Sequence, residues 1–173
     1  DSFTNGQDIT AEGVKSNLRD GYWRKGLAST LEGLAWNGPS KPFVSYAPFL
    51  VVWNFTNACN LDCKHCYQSA DKPTPDELTT EEAKRAVDEM AEAGVGYIAF
   101  SGGEPLYRED FFEVAEHARE KEMGLAVATN GTILSKEKIR RLEELDCLYF
   151  QISLDGKRET HNKMRGPKAY ERT

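Results

Sequence analysis

Cys59, Cys63 and Cys66 are the residues whose types and spacing point most directly to chemistry: three thiols in the pattern C-x3-C-x2-C. Thiolates this close together on one loop can turn inward around a common metal centre. A structural zinc site takes four ligands. The one other cysteine, Cys147, opens a later apolar segment and should lie at the opposite end of a sheet from this loop, so it does not readily close the set. His65 could be a fourth ligand, but it is flanked by the cysteine loop and its ring is expected to point elsewhere. Three cysteines without a fourth suit a [4Fe–4S] cluster with one iron left open to bind a substrate or cofactor directly. The alternative reading is a non-catalytic zinc or iron–sulfur module that is structural or carries electrons. Clustered thiols are also unlike the even, spread-out set of a secreted disulfide framework. They point to a reducing compartment, expected to be the cytoplasm.

Three more strings carry unusual residues: Ser101-Gly102-Gly103-Glu104-Pro105, Thr129-Asn130-Gly131 and Ser153-Leu154-Asp155-Gly156. Each sits at the end of an apolar, β-rich segment. Residues 48–55, PFLVVWNF, form a near-continuous apolar run, the pattern of a strand buried on both faces of a parallel sheet. Further strands are expected at 95–100, 125–129 and 147–154. Helices separate them. Thr79-Thr80-Glu81-Glu82 reads as a capping box for a helix reaching about Ala93, with Gly94 as its stop. Asp110 and Ser135 are the expected caps of the next two helices. The order βαβαβαβ predicts right-handed crossovers and a parallel sheet. In such folds ligands bind at the C-terminal ends of the strands, where all four strings fall.

The 173 residues include 22 basic and 28 acidic side chains, for a net charge of -6. That argues against a general nucleic-acid binder, which needs a basic footprint. No apolar stretch approaches the roughly 18 residues of a membrane span. The first residues, DSFTNGQDIT, do not read as a signal peptide. Residues 1–45 differ from the rest and read as a helical arm. Val14, Leu18 and Tyr22 recur at helical spacing, as do Leu27, Leu31 and Leu34, and Gly21 and Gly26 suggest two short helices. The apolar stripe is expected to dock the arm on the main domain, residues 46–173.

The string CNLDCKHC, followed about 40 residues later by GGEP and then by TNG and SLDG, resembles the radical S-adenosylmethionine (SAM) superfamily over residues 49–173. The resemblance implies an α/β fold: the N-terminal part of a partial (β/α)6 TIM-like barrel, with four βα units here. It implies a [4Fe–4S] cluster on Cys59, Cys63 and Cys66, and SAM bound to the open iron. It assigns His65 to the aromatic position beside the adenine, though tyrosine or phenylalanine is commoner there. Gly102, Gly103 and Glu104 match the motif that receives the methionine amino group, with Glu104 pairing the ammonium. Ser153 and Asp155 match the ribose- or methionine-binding position, and Asn130 is assigned likewise. Thr129 is assigned to substrate, and Arg165 to the cofactor carboxylate. Taken alone, Gly102-Gly103 is an ordinary strand-ending turn and Arg165 an ordinary surface arginine.

The implied reaction is reductive cleavage of SAM to methionine and a 5′-deoxyadenosyl radical, which abstracts hydrogen from a substrate. The implied partners are a low-potential electron donor of ferredoxin or flavodoxin type and a small-molecule, peptide or tetrapyrrole substrate. The resemblance is to the subgroup that often carries cysteine-rich C-terminal extensions of the SPASM or twitch type. That subgroup includes peptide maturases and enzymes of modified haem and quinone pathways. The last residues, PKAYERT, read as the start of another helix. Cys147 reads as a small buried hydrophobe. His117 reads as a solvent-facing helix residue, and His161 as a polar loop residue near the ligand face.

Overall fold

A computed structural model describes residues 11–39 and 45–173. Four strands form its centre: β1 (Leu50–Thr56), β2 (Tyr97–Gly102), β3 (Gly124–Thr129) and β4 (Tyr149–Ile152). All pairings are parallel and the spatial order is β1-β2-β3-β4. Every connection therefore steps in the same direction. With right-handed crossovers, that places the intervening helices on one face and leaves the other concave, as in a segment of a barrel.

The helices after the first three strands are α3 (Thr80–Glu92), α4 (Phe111–Glu120) and α5 (Lys136–Glu144). α3 begins with the expected capping box: Glu82 N–H donates to Thr79 Oγ1 and Thr79 N–H to the Glu82 carboxylate. The Ser135 hydroxyl likewise accepts from Lys138 N–H. Asp110 occupies the cap position of α4 without capping it. Its carboxylate instead binds Arg108 Nε at 2.7 Å and Thr80 Oγ1 at 2.8 Å, joining the starts of α3 and α4. Between sheet and helices lies the core of Ile98, Phe100, Phe111, Val114, Leu125 and Val127. Phe55, Phe100 and Phe111 meet edge to face. Each such buried side chain contributes on the order of 1.5–3 kcal/mol.

β1 is not buried on both faces. Val51, Trp53 and Phe55 turn toward the core, while Leu50 and Val52 are exposed on the concave side. The run of apolar residues looks alike in either case, because it reports hydrophobicity and not position. The core covers one face of β1, and no described residue covers Leu50 and Val52 on the other. β4, at the other edge, is shorter than expected and exposed along its length.

In the N-terminal arm, α1 spans Ala11–Asn17 and α2 spans Gly21–Asn37. The first ten residues, residues 40–44 and the side chains of Ala11 and Val14 lie outside the described residues. Gly26 does not interrupt α2. A Cβ there would lie 2.6 Å from the Phe49 ring, so the glycine lets the helix approach the domain closely. The docking face is not the leucine stripe. Ser29 and Gly33 are buried, and Ser29 exchanges hydrogen bonds with Ala47, whereas Leu27, Leu31 and Leu34 stay exposed. Two further helices follow β4: α6 (Arg158–Arg165) and α7 (Ala169–Arg172). The stretch holding His161 is therefore helix, not loop.

Candidate active site

The cysteine segment leaves β1 and returns along itself. Ala58 pairs with Asp71 in an isolated bridge, Cys59 N–H donates to Asp71 O at 3.2 Å, and Asp71 N–H donates to Asn57 O. Glu77 anchors the base of this loop by accepting from Thr56 Oγ1 and from Asn57 N–H at 2.6 Å. Inside the loop, Cys66 N–H donates to Cys63 O, and Ala70 N–H to Cys66 Sγ at 3.4 Å. Two outside contacts fix its orientation. Lys64 N–H donates to Met164 O on α6, and Asn60 accepts from Asn130 Nδ2 at 2.9 Å.

Cys59, Cys63 and Cys66 then line one cavity of about 300 Å³ at the C-terminal ends of the strands. Burial pushes the Cys59 and Cys63 thiols up from their ordinary pKa, and at Cys63 the Arg165 charge pulls the other way. A metal binding there must displace those protons. Among the described residues no group of three His, Cys, Asp or Glu side chains converges to hold a metal ion. Three thiols whose one other cysteine lies at the far end of the sheet are the donor set of a [4Fe–4S] cluster with one iron left open, and Cys59, Cys63 and Cys66 would hold it.

Gly102 and Gly103 form another wall of the cavity. Gly103 N–H donates to Thr56 O and Glu104 N–H to Ala58 O, so this turn runs against the backbone that enters the cysteine loop. Gly102 has φ +116°, a conformation that favours glycine. His65, Asn130, Ser153 and Arg165 also line the cavity. The expected cofactor residues from four separate strand ends are thus brought together, with two exceptions.

The first exception is Glu104. Its side chain is fully buried and is absent from the cavity wall. It accepts from Asn130 N–H at 2.7 Å, Thr129 Oγ1 at 2.9 Å and Leu106 N–H at 3.3 Å. Burial raises its carboxyl pKa against the pull of these donors. In this arrangement the carboxylate that the resemblance assigns to a ligand ammonium is turned onto three donors of the protein itself. Glu104 clamps the end of β2 to the end of β3. Glu104→Gln turns one acceptor into a donor facing donors, and should cost on the order of 1.5–3 kcal/mol of stability, read by thermal denaturation. An unchanged melting temperature combined with lost SAM affinity would instead return Glu104 to the ligand site.

The second exception is Asp155, whose carboxylate stands behind the wall. It accepts from Arg165 Nε at 2.7 Å and Arg165 Nη2 at 3.1 Å, and lies 3.6 Å from His65 Nε2. The bonds from Arg165 hold its pKa below the ordinary value. Thr129, assigned to substrate, lines the cavity as well; its hydroxyl donates to Glu104 and accepts from Gly131 N–H. Cys147 sits at the other end of the sheet against the core, with burial pushing its thiol up to about 11. His117 is not free in solvent: its Nε2 lies 2.9 Å from Asp88. Glu77, Gln151 and Tyr67 belong to the site or its support and were not anticipated. Tyr67, next to Cys66, had a signal in its position; Glu77 had none, because its partners are backbone groups of a loop.

Three thiols and a glycine turn thus share one cavity at the strand ends of a singly wound parallel sheet. Residues 53–173 match the family model of the radical SAM superfamily, and the chain belongs to that family. It is 48% identical to the Fe-coproporphyrin III synthase of Methanosarcina barkeri over 69% of this chain and 30% of that protein. It is 40% identical to the mycofactocin maturase MftC of Mycobacterium ulcerans over 69% of this chain and 33% of that protein. The fold matches the solved structure of anSMEcpe with bound AdoMet, with TM-score 0.59 and 25% identity, over 71% of this chain and 37% of that one. It also matches Streptococcus suis SuiB bound to S-adenosylmethionine, with TM-score 0.62 and 17% identity, over 94% and 36% of the two chains; at that identity the likeness concerns the fold alone. The chain spans about a third of the length of the curated relatives it matches.

Proposed function

We propose that this chain forms the cluster- and SAM-binding part of a radical SAM enzyme that modifies a peptide or builds a tetrapyrrole or related cofactor. One observation carries this reading: Cys59, Cys63 and Cys66 share a single cavity with Gly102, Gly103 and Arg165 at the strand ends. In this reading the three cysteines hold a [4Fe–4S] cluster. When bound, the reduced cluster and SAM supply a 5′-deoxyadenosyl radical for hydrogen abstraction. The protein's own work is positioning and exclusion of water.

Gly102 and Gly103 put backbone on the cavity wall, and their missing side chains let this turn pack against the backbone of Thr56 and Ala58. Arg165 spends Nε and Nη2 on Asp155, which leaves Nη1 to pair a carboxylate. Asn130 spans the ligand wall and the cysteine loop through Asn60, and its Nδ2 lies 4.0 Å from Cys59 Sγ. A low-potential carrier of ferredoxin or flavodoxin type would supply electrons in the cytoplasm. No helix among the described residues is long and apolar enough to cross a membrane. The similarity to the synthase and the maturase supports a tetrapyrrole or peptide substrate.

The test is anaerobic reconstitution with iron and sulfide, followed by dithionite and SAM. The expected result is 5′-deoxyadenosine, formed even without substrate. A cluster-loaded protein that neither binds nor cleaves SAM would favour an electron-transfer or structural module.

A further inference from the structure

We infer that His161 is a positioning residue for the SAM-binding wall: its Nδ1 holds the backbone N–H of Asp155, and through Asp155 it sets the orientation of Arg165. The inference rests on the function proposed above and concerns the same cavity.

His161 is fully buried on α6. Asp155 N–H approaches its Nδ1 at 3.3 Å. A ring nitrogen that accepts carries no proton, so in the neutral ring the proton sits on Nε2. Nε2 is buried and has no hydrogen-bond partner. An unpaired buried N–H is costly, and an apolar ring would avoid that cost. The histidine therefore has to be accounted for by its other nitrogen, which gives the Asp155 N–H an acceptor where β4 ends. The Tyr170 ring packs edge to face on the imidazole, at 5.8 Å between centroids, and keeps Nδ1 turned toward the strand.

His161 and Arg165 lie four residues apart on α6 and so share one helix face. They hold the same residue from two sides, His161 by the backbone and Arg165 by the carboxylate. Asp155 is in turn 3.6 Å from His65 in the cysteine loop, and α6 receives Lys64 N–H at Met164 O. The end of β4, helix α6 and the cysteine loop are thus tied together at Asp155. If the backbone of Asp155 is released, the carboxylate can turn, and Arg165 loses the fork that presents Nη1 to the cavity. Cluster ligation does not pass through this contact.

Two substitutions separate the hydrogen bond from the packing. His161→Asn keeps an acceptor oxygen near the place of Nδ1 but removes the ring. His161→Phe keeps the ring against Tyr170 but removes the acceptor. The expected result for His161→Phe is about a tenfold loss of SAM affinity, the size of one lost hydrogen bond. Faster hydrogen exchange at the Asp155 amide should accompany it, with iron content unchanged. His161→Asn should keep affinity within about threefold of the parent and keep the amide protected, even if packing loss lowers its melting temperature. A His161→Phe protein with parental affinity and a protected Asp155 amide would overturn the inference. So would His161→Asn losing affinity as severely as His161→Phe, because packing would then be the whole effect. The amide exchange is read on the protein without SAM. If the parent does not bind SAM, the proposed function fails, while the exchange data still report whether His161 holds Asp155.

Discussion

Alanine at Cys59, Cys63 or Cys66 should abolish stable iron binding and with it all SAM cleavage. Anaerobically reconstituted parent protein should carry about four irons per chain, in line with one cubane cluster. A cluster held by three protein thiolates has no spare ligand, so each single loss should be nearly as damaging as losing all three. Cys147→Ala is the internal control. Cys147 packs against the core at the opposite end of the sheet and should retain iron, at a cost of about 1 kcal/mol in stability. Iron and sulfide assays with the visible absorption spectrum read the result. Zinc-loaded, colourless protein after reconstitution would reject the cluster, and loss of iron in Cys147→Ala would mean that the ligand set is wrongly drawn.

Gly103→Ala should be the most damaging change outside the cysteines. A Cβ at this position would lie 2.2 Å from Ala58 O and 2.8 Å from Ala58 C. Both neighbours are backbone, so no side chain can swing away; the chain itself has to move. Gly102 is as tightly placed, with a Cβ 2.5 Å from Thr56 O and φ +116°. At Gly102 the positive φ adds strain; the cost of Gly103→Ala should be on the order of 3 kcal/mol, from overpacking against backbone. Its functional consequence follows from chain order: Ala58 immediately precedes Cys59. Pushing this segment away from the glycine turn displaces a cluster thiol, so iron occupancy and SAM affinity should fall together. Gly38→Ala sets the scale for an unconstrained glycine, since nothing lies within 4 Å of its Cβ position and only its positive φ is penalised. A Gly103→Ala protein that melts with the parent and keeps iron and SAM affinity would remove the turn from the site.

The two predictions draw on different kinds of information. The cysteine pattern, the glycine turn and the helix caps are local, and local chemistry is written in adjacent residues. Thr79 with Glu82, and Ser135 with Lys138 N–H, could be read because a cap acts within one turn. The alternation of apolar runs with helices was enough to order four parallel strands. That order, joined to the rule that ligands bind at the C-terminal strand ends, was enough to expect one composite site. The family resemblance pointed the same way as this physical reading without replacing it.

What neighbouring residues do not carry is direction and partnership across the chain. Glu104 lies in a motif that suggested a ligand contact, yet its carboxylate turns to donors 25 and 26 residues away on the next strand. His161 reads as a polar residue in a loop until α6 forms and buries it over Asp155. The leucines of α2 have the spacing of a docking face, but Gly26, Ser29 and Gly33 make the closer approach because small residues bring backbones together. β1 is apolar enough for burial on both sides, and only the layers packed on the sheet decide that one of its faces stays open. The sequence by itself determined which chemical groups are present, which local elements form and at which end of the strands the chemistry gathers, because these depend on periodicity and short-range hydrogen bonds. The tertiary structure alone decided which polar groups face the ligand and which are used up holding the wall, because each buried donor must find an acceptor and the one that wins is set by spatial neighbours, not by sequence distance.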